Sequence, residues 1–187
     1  MIEPLVVVPT QREAAAIDTA RVRPVIGGVG MAAISATLSR ALRETTPSLV
    51  ILAGIAGSYG DALPPGEAVL VASERVADLG AMREGRFEAL YPVDYRCPCA
   101  TLFPEFKSVA ANTVSVAGAP WVAPADVENM EGAAFFALCL AHGVPFVELR
   151  TISNRVGDPR EKWNIPLAAE QLAAALHSLL EMAKYRL

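Results

Sequence analysis

The chain has 187 residues, of which 53% are hydrophobic and only 6% aromatic, and a formal net charge of −4. That length suits one domain with a sizeable core of Ala, Val, Leu and Ile. The acidic balance excludes nucleic acid as a partner, because phosphate binding needs a basic face. No apolar run reaches a membrane span, and no basic amphipathic helix marks a membrane surface.

The N-terminus opens with Met1, Ile2 and Glu3, an acid where a signal peptide carries a basic region. Residues 5–8 read as a buried strand ended by Pro9, and residues 11–20 as a short helix. Residues 22–26 form a second short strand that turns at Gly27 and Gly28. Residues 30–42 are a helix rich in Ala and Leu, with Pro47 marking its exit. Residues 48–53 are a third strand, ended by Gly54. Residues 67–72 are a fourth, after the turn at Pro64, Pro65 and Gly66. From 80 to 125 prolines and short mixed runs obscure the pattern, and residues 112–116 are the best strand candidate. Residues 129–141 read as a helix closed by Gly143, and residues 145–152 as a strand. Residues 167–185 read as a long helix with Leu172, Leu176, Leu179 and Leu180 on one face. This alternation predicts a single three-layer α/β/α domain over residues 1–187.

Cys97 and Cys99 lack a nearby His or further Cys for zinc and read as loop thiols, and Cys139 reads as core. His142 and His177 have no partner at metal spacing. No metal or cofactor is expected, and the cysteine usage suits a reduced, cytoplasmic setting.

Several segments invite chemistry. Gly28-Val29-Gly30-Met31-Ala32-Ala33 is a partial dinucleotide fingerprint, yet the next strand ends in Ala53-Gly54 where that motif wants an acid. A tight turn, or a backbone surface beside a ribose, are the competing readings. Ala53-Gly54-Ile55-Ala56-Gly57-Ser58 lets a ligand approach the backbone, though plain turn chemistry accounts for it equally. Glu13 follows Thr10 by three residues. That spacing favours a capping box over a general base at the sheet edge. Glu131 opens an apolar helix, where it either favours the helix dipole or accepts from the vicinal hydroxyls of a ribose. Ser153 and Asn154 end a β-branched run, at the strand end where open α/β sheets bind ligands. The charged loop after them can fold over a ligand. No His–Asp pair accompanies Ser153 to make a triad.

Over residues 6–175 these segments resemble the nucleoside phosphorylase and nucleosidase superfamily. Val127-Glu128-Asn129-Met130-Glu131-Gly132-Ala133-Ala134 and Arg150-Thr151-Ile152-Ser153-Asn154 carry the likeness, with Gly28-Val29-Gly30 and the 53–57 segment in order before them. The resemblance implies a nucleoside phosphorylase-like fold around a central mixed sheet, a small nucleoside substrate and a homo-oligomer. It implies that Glu13 activates water and that Met130 and Glu131 bind the ribose. It also implies that Ile55, Ala56 and Gly57 lie beside the sugar and that Asn154 faces the purine. The passage from Ser153 to Trp163 is similar to a narrower branch, which cleaves the N-glycosidic bond of futalosine and releases hypoxanthine in a menaquinone route. The ligand of that branch carries a carboxylate, for which Arg12, Arg155 and Arg160 are candidates.

Two departures refine the expectation. Adenine-specific members carry Asp at the place of Asn154. An Asn amide donates to N7 and to a 6-oxo group, favouring hypoxanthine or guanine. It cannot deliver a proton, so it would stabilise charge on the leaving base. Phosphorolytic members surround the glycine loop with Arg and Ser, where this chain has apolar residues including Ile55, so water is the expected nucleophile. A third departure, Asn129 where adenine nucleosidases have Glu, has no reading from sequence. A methylthioadenosine/adenosylhomocysteine nucleosidase, a purine nucleoside phosphorylase and a non-catalytic nucleotide-binding module remain as alternatives.

Overall fold

A computed structural model describes residues 4–90 and 93–186; Met1 to Glu3, read above for a leader, lie outside them. The elements run β1 (Pro4–Val8), α1 (Gln11–Ala14), β2 (Val25–Ile26), α2 (Met31–Glu44), β3 (Leu49–Ser58), β4 (Ala68–Val76), β5 (Gly80–Arg83), β6 (Arg86–Ala89), β7 (Tyr95–Arg96), β8 (Lys107–Thr113), β9 (Val127–Asn129), α3 (Gly132–His142), β10 (Phe146–Arg155) and α4 (Ile165–Ala183). Among the described residues no helix is long and apolar enough to cross a membrane.

The apolar strands β1, β3 and β10 run parallel, with helices covering both faces. This is why their sequences are continuous Val, Ile and Leu runs rather than alternating ones. Antiparallel pairs of β10 with β4 and of β3 with β9 make the 8-stranded sheet mixed, as the resemblance implied. The sheet also closes on itself: β3, β10, β4, β8 and β9 form a ring, and β1 and β2 extend from β3. Helices α2 and α3 pack together, as do α1 and α4.

The ring leaves one gap. Along one edge β3 pairs with β1 as far as Leu52, and with β9 only from Gly57 onward. Between those points the edge of β3 has no strand beside it, and the functional cavity opens there. This is a switch point of the kind that binds ligands in open α/β sheets.

Several boundaries differ from the sequence expectation for local reasons. Helix α1 stops at Ala14 because Asp18 starts a turn of its own: its Oδ1 accepts Ala20 N–H and its carbonyl accepts Arg21 N–H. Strand β3 does not end at Gly54 but continues to Ser58. Strand β10 likewise carries Ser153 and Asn154 within it. Asn129 ends β9 and Glu131 is the N-cap of α3, so neither lies in a helical turn. Strand β8 begins and ends before its expected place, because the Asp78 carboxylate accepts Ser115 N–H at 2.5 Å and Val116 N–H at 3.3 Å and bends the chain. The β5–β6 hairpin was not foreseen. Its turn uses Glu84 and Gly85, both at positive φ, in place of the Asn-Gly or Asp-Gly pair that signals such turns.

Gly143 ends α3 as expected, at φ 62°, with Val144 N–H reaching Cys139 O and Gly143 N–H reaching Leu140 O. Inside, Phe135, Phe136 and Phe146 pack edge-to-face with centroids 4.9–6.1 Å apart and lock α3 to the start of β10. Phe136→Ala should lower unfolding free energy by about 3–5 kcal/mol. Urea titration measures it, and a loss below 1 kcal/mol would show that this cluster does not hold the helix layer.

Candidate active site

The cavity at the β3 gap measures ≈ 190 Å³ and is bounded by α1, β3, β9, β10 and the loop before α4. Glu13, Ile55, Ala56, Gly57, Met130, Glu131 and Asn154, the residues singled out from the sequence, all line it. A larger depression of ≈ 280 Å³ lies against α4, around Arg21, His177 and Lys184, and contains none of them.

Glu13 combines both of its sequence readings. Thr10 caps α1, its hydroxyl accepting Glu13 N–H at 3.3 Å. The Glu13 carboxylate does not reach back to complete a capping box. Its Oε1 accepts Ile55 N–H at 2.9 Å and its Oε2 accepts the Thr10 hydroxyl at 2.5 Å. The side chain is only 4% exposed. Burial therefore raises its pKa above the ordinary 4.5. The two hydrogen bonds and Arg150 pull it down, and the Glu131 charge pushes it up again.

Arg150 was part of a sequence motif but carried no predicted role. It is 1% exposed and organises the floor of the site. Its Nε donates to Glu148 at 2.7 Å, its Nη1 to Ile55 O at 3.1 Å, and its Nη2 to Asn129 Oδ1 at 3.1 Å and Glu131 Oε2 at 3.2 Å. Burial alone would lower its pKa, but the charges of Glu148 and Glu131 outweigh that and hold it above the ordinary value. Gly54, directly across from Arg150 on β3, makes the approach possible, since a Cβ there would meet Arg150 Nη1. The glycine expected to admit a ligand admits a guanidinium.

Glu131 is held from both sides. Its Oε1 accepts Gly30 N–H at 3.0 Å, and Arg150 meets its Oε2. The Gly28–Gly30 turn thus supplies a backbone donor to this carboxylate, and Val29 forms part of the cavity wall. Asn129 supports the same point: its Oδ1 accepts Glu131 N–H at 2.9 Å and Gly132 N–H at 2.8 Å as well as Arg150. With its oxygen thus committed, its Nδ2 faces and donates to Glu74.

Behind this floor Glu74 and Glu148 are both fully buried. Burial, then the Glu148 charge, holds Glu74 well above the ordinary carboxyl range. Burial raises Glu148 too, and Arg150 pulls it back. Thr113 ties Glu74 to α3: its hydroxyl donates to Glu74 Oε2 at 2.9 Å and accepts Ala133 N–H at 2.7 Å.

Asn154 owes its position to a β-bulge. Ile152 pairs with Ala56 and Asn154 with Gly57, leaving Ser153 unpaired between them. Such a bulge re-aims the following side chain. The Ser153 hydroxyl lies 2.7 Å from Asn154 Oδ1, and Asn154 Nδ2 donates to Arg155 O at 2.8 Å. One N–H of the amide remains available to the cavity.

Sequence reasoning also missed Glu128, Trp163 and Ile165, which line the cavity. Opposite charges at Glu148 and Arg150, two apart in an apolar strand and so on one face, were the available signal for the buried floor. Of the three candidate arginines, Arg12 and Arg160 are at the cavity, and Arg160 lies over the Trp163 ring at 4.6 Å. Arg155 is not, and pairs with Asp61 at 2.8 Å.

A family model described as the phosphorylase superfamily matches residues 121–181. The chain is 32% identical to the futalosine hydrolase of Thermus thermophilus over 182 residues, covering 82% of this chain and 78% of the relative. It is 32% identical over 186 residues to the futalosine hydrolase of Acidothermus cellulolyticus, covering 86% and 76%. Among solved structures, the native futalosine hydrolase of Helicobacter pylori superposes with a TM-score of 0.81 at 14% identity, over 97% of this chain and 98% of that one. A methylthioadenosine-bound mutant of the nucleosidase MTAN from the same organism gives 0.83 at 14% identity, over 97% and 99%.

The raised Glu74 carboxyl has a pH consequence. A carboxyl whose folded pKa is raised favours the folded state below its unfolded value, and that advantage fades as pH rises from 4.5 through the folded pKa. Wild-type stability should therefore fall across this window. Glu74→Gln, which keeps the shape without the proton, should flatten the fall. Parallel slopes of unfolding free energy against pH in the two proteins would contradict the assignment.

Proposed function

The chain belongs to the futalosine hydrolase family of the phosphorylase superfamily and is a nucleosidase, and from that premise we propose that it hydrolyses futalosine or a closely related 6-oxopurine nucleoside, with water activated by Glu13. The observation that supports this most directly is the convergence of Glu13, Glu131 and Asn154, far apart in the chain, on one cavity at the gap beside β3.

The roles follow from what each side chain offers. Glu131, anchored by Gly30 N–H and Arg150, keeps lone pairs for the 2′ and 3′ hydroxyls of a ribose. Met130 gives the sugar an apolar neighbour. Ile55 uses its N–H and carbonyl to orient Glu13 and Arg150, and Ala56 and Gly57 leave backbone at close range. Water attacks C1′ as the bond from C1′ to the base nitrogen breaks. The proton of the water passes to Glu13, and the bonding electrons leave with the purine. The one free Asn154 N–H is shared between N7 and the 6-oxo oxygen and stabilises the charge gathering there. Ile55, Ala56 and Gly57 carry no side chain able to hold phosphate, in keeping with water as nucleophile. Arg12 and Arg160 stand at the cavity wall, suited to the substrate carboxylate, while Arg155 is engaged by Asp61.

Glu13→Gln should retain ligand binding and lose roughly 10²- to 10⁴-fold in turnover. Futalosine hydrolysis by this variant within tenfold of wild type would remove Glu13 from the mechanism. Because a base works only when ionised, the acid limb of kcat against pH should lie above 4.5, in the direction of the raised Glu13 pKa. Arg160→Ala should raise KM for futalosine roughly tenfold and leave KM for inosine unchanged. An equal change for both substrates would exclude a role in carboxylate binding.

A further inference from the structure

Glu74 is a buried acid to which the mechanism above gives no part. Three neighbouring strands build its surroundings. Glu74 stands on β4, Thr113 on β8 and Asn129 on β9, and Thr113 pairs directly with Asn129. All three residues are buried, so their polar atoms must find partners inside the protein. Of the three, Asn129 reaches the cavity wall.

Two hydrogen-bonded arms run from Glu74 to the start of α3. In the first, Asn129 Nδ2 donates to Glu74 Oε1, and Asn129 Oδ1 accepts Glu131 N–H at 2.9 Å and Gly132 N–H at 2.8 Å. In the second, the Thr113 hydroxyl donates to Glu74 Oε2 at 2.9 Å and accepts Ala133 N–H at 2.7 Å. One acid, through an amide and a hydroxyl, thus holds three consecutive N–H groups that a helix start leaves without partners. Glu131 is the N-cap residue of α3, yet its side chain makes no capping hydrogen bond. The two arms do the capping, and the Glu131 carboxylate is left to line the cavity. Gly132 lets the acid lie against this turn, since a Cβ there would meet Glu74.

We propose that Glu74 is a positioning residue for sugar recognition: by orienting Asn129 and Thr113 it fixes the backbone of residues 131–133 and so aims the Glu131 carboxylate at the 2′ and 3′ hydroxyls. This rests on the ribose reading of Glu131. An amide has two ends of like shape and opposite polarity. The acceptor on Glu74 holds the nitrogen end of Asn129 on its own side and leaves the oxygen for the α3 amides and for Arg150 Nη2. Without that acceptor a buried donor is unpaired, which favours movement of the amide away from the turn. The pairing also gives Asn129 a reason: an ionised carboxylate at 129 would offer Glu74 no donor.

Base release from inosine and from 2′,3′-dideoxyinosine tests the role, because the second substrate has no hydroxyls for Glu131 to hold. The ratio of kcat/KM for the two, compared between variants, cancels their different intrinsic reactivity. Glu74→Met fills the space without an acceptor and should lower the ratio roughly tenfold, through KM for inosine. Glu74→Gln keeps an acceptor for Asn129 and should hold the ratio within about threefold of wild type. Thr113→Val removes one arm and should lower the ratio by less than Glu74→Met; it carries the test if Glu74→Met does not fold. An unchanged ratio in folded Glu74→Met, or in Thr113→Val where that protein does not fold, would overturn the proposal. So would an equal loss on both substrates, the mark of a merely structural role, or a Glu74→Gln protein that loses the ratio as fully as Glu74→Met. A ratio that Glu131→Ala leaves unchanged would instead overturn the ribose reading itself.

Discussion

Arg150 cannot be solvated where β10 places it, so the protein must meet its donors and its charge. Two carboxylates, an amide oxygen and a backbone carbonyl do so, and each comes from a part of the structure that the site requires. Glu131 is brought to the cavity, Ile55 is fixed beside Glu13, and Asn129 orders the entry to α3. Burial raises the Glu13 carboxyl and the Glu131 charge raises it further, and the Arg150 guanidinium opposes that rise.

The same logic explains the glycines. Gly54 gives space to Arg150, and Gly132 gives space to Glu74 and Glu148, which a Cβ would meet. Gly57 gives space to the Asn154 amide and to Val156, which a Cβ would crowd. Gly30 and Gly118 instead act through their backbone, each donating an N–H to a carboxylate of the cavity wall, Glu131 and Glu128. The small residues along β3 are therefore less a loop for phosphate than room for polar side chains reaching across a sheet.

Much of the site was legible in the sequence because motifs keep their spacing when strands and helices alternate. The seven predicted residues all reached one cavity. The closure of the sheet was not legible, since strand pairing between β4, β8 and β9 depends on partners distant in the chain. The segment from 80 to 125 hid a hairpin whose turn residues are atypical and a strand displaced by the Asp78 carboxylate. The bulge at Ser153 leaves no mark in a run that simply reads as strand. Glu13 was ambiguous for a physical reason, because Thr10 does cap the helix while the carboxylate turns elsewhere.

The geometry of the cavity fits the splitting of a 6-oxopurine nucleoside by water. Base release from futalosine, followed by chromatography in phosphate-free buffer and again with phosphate added, tests it most directly. Hypoxanthine should appear at the same rate in both buffers, together with the free sugar. Release that depends on phosphate and yields a sugar phosphate would contradict the account, as would release of adenine from methylthioadenosine with none of hypoxanthine from futalosine.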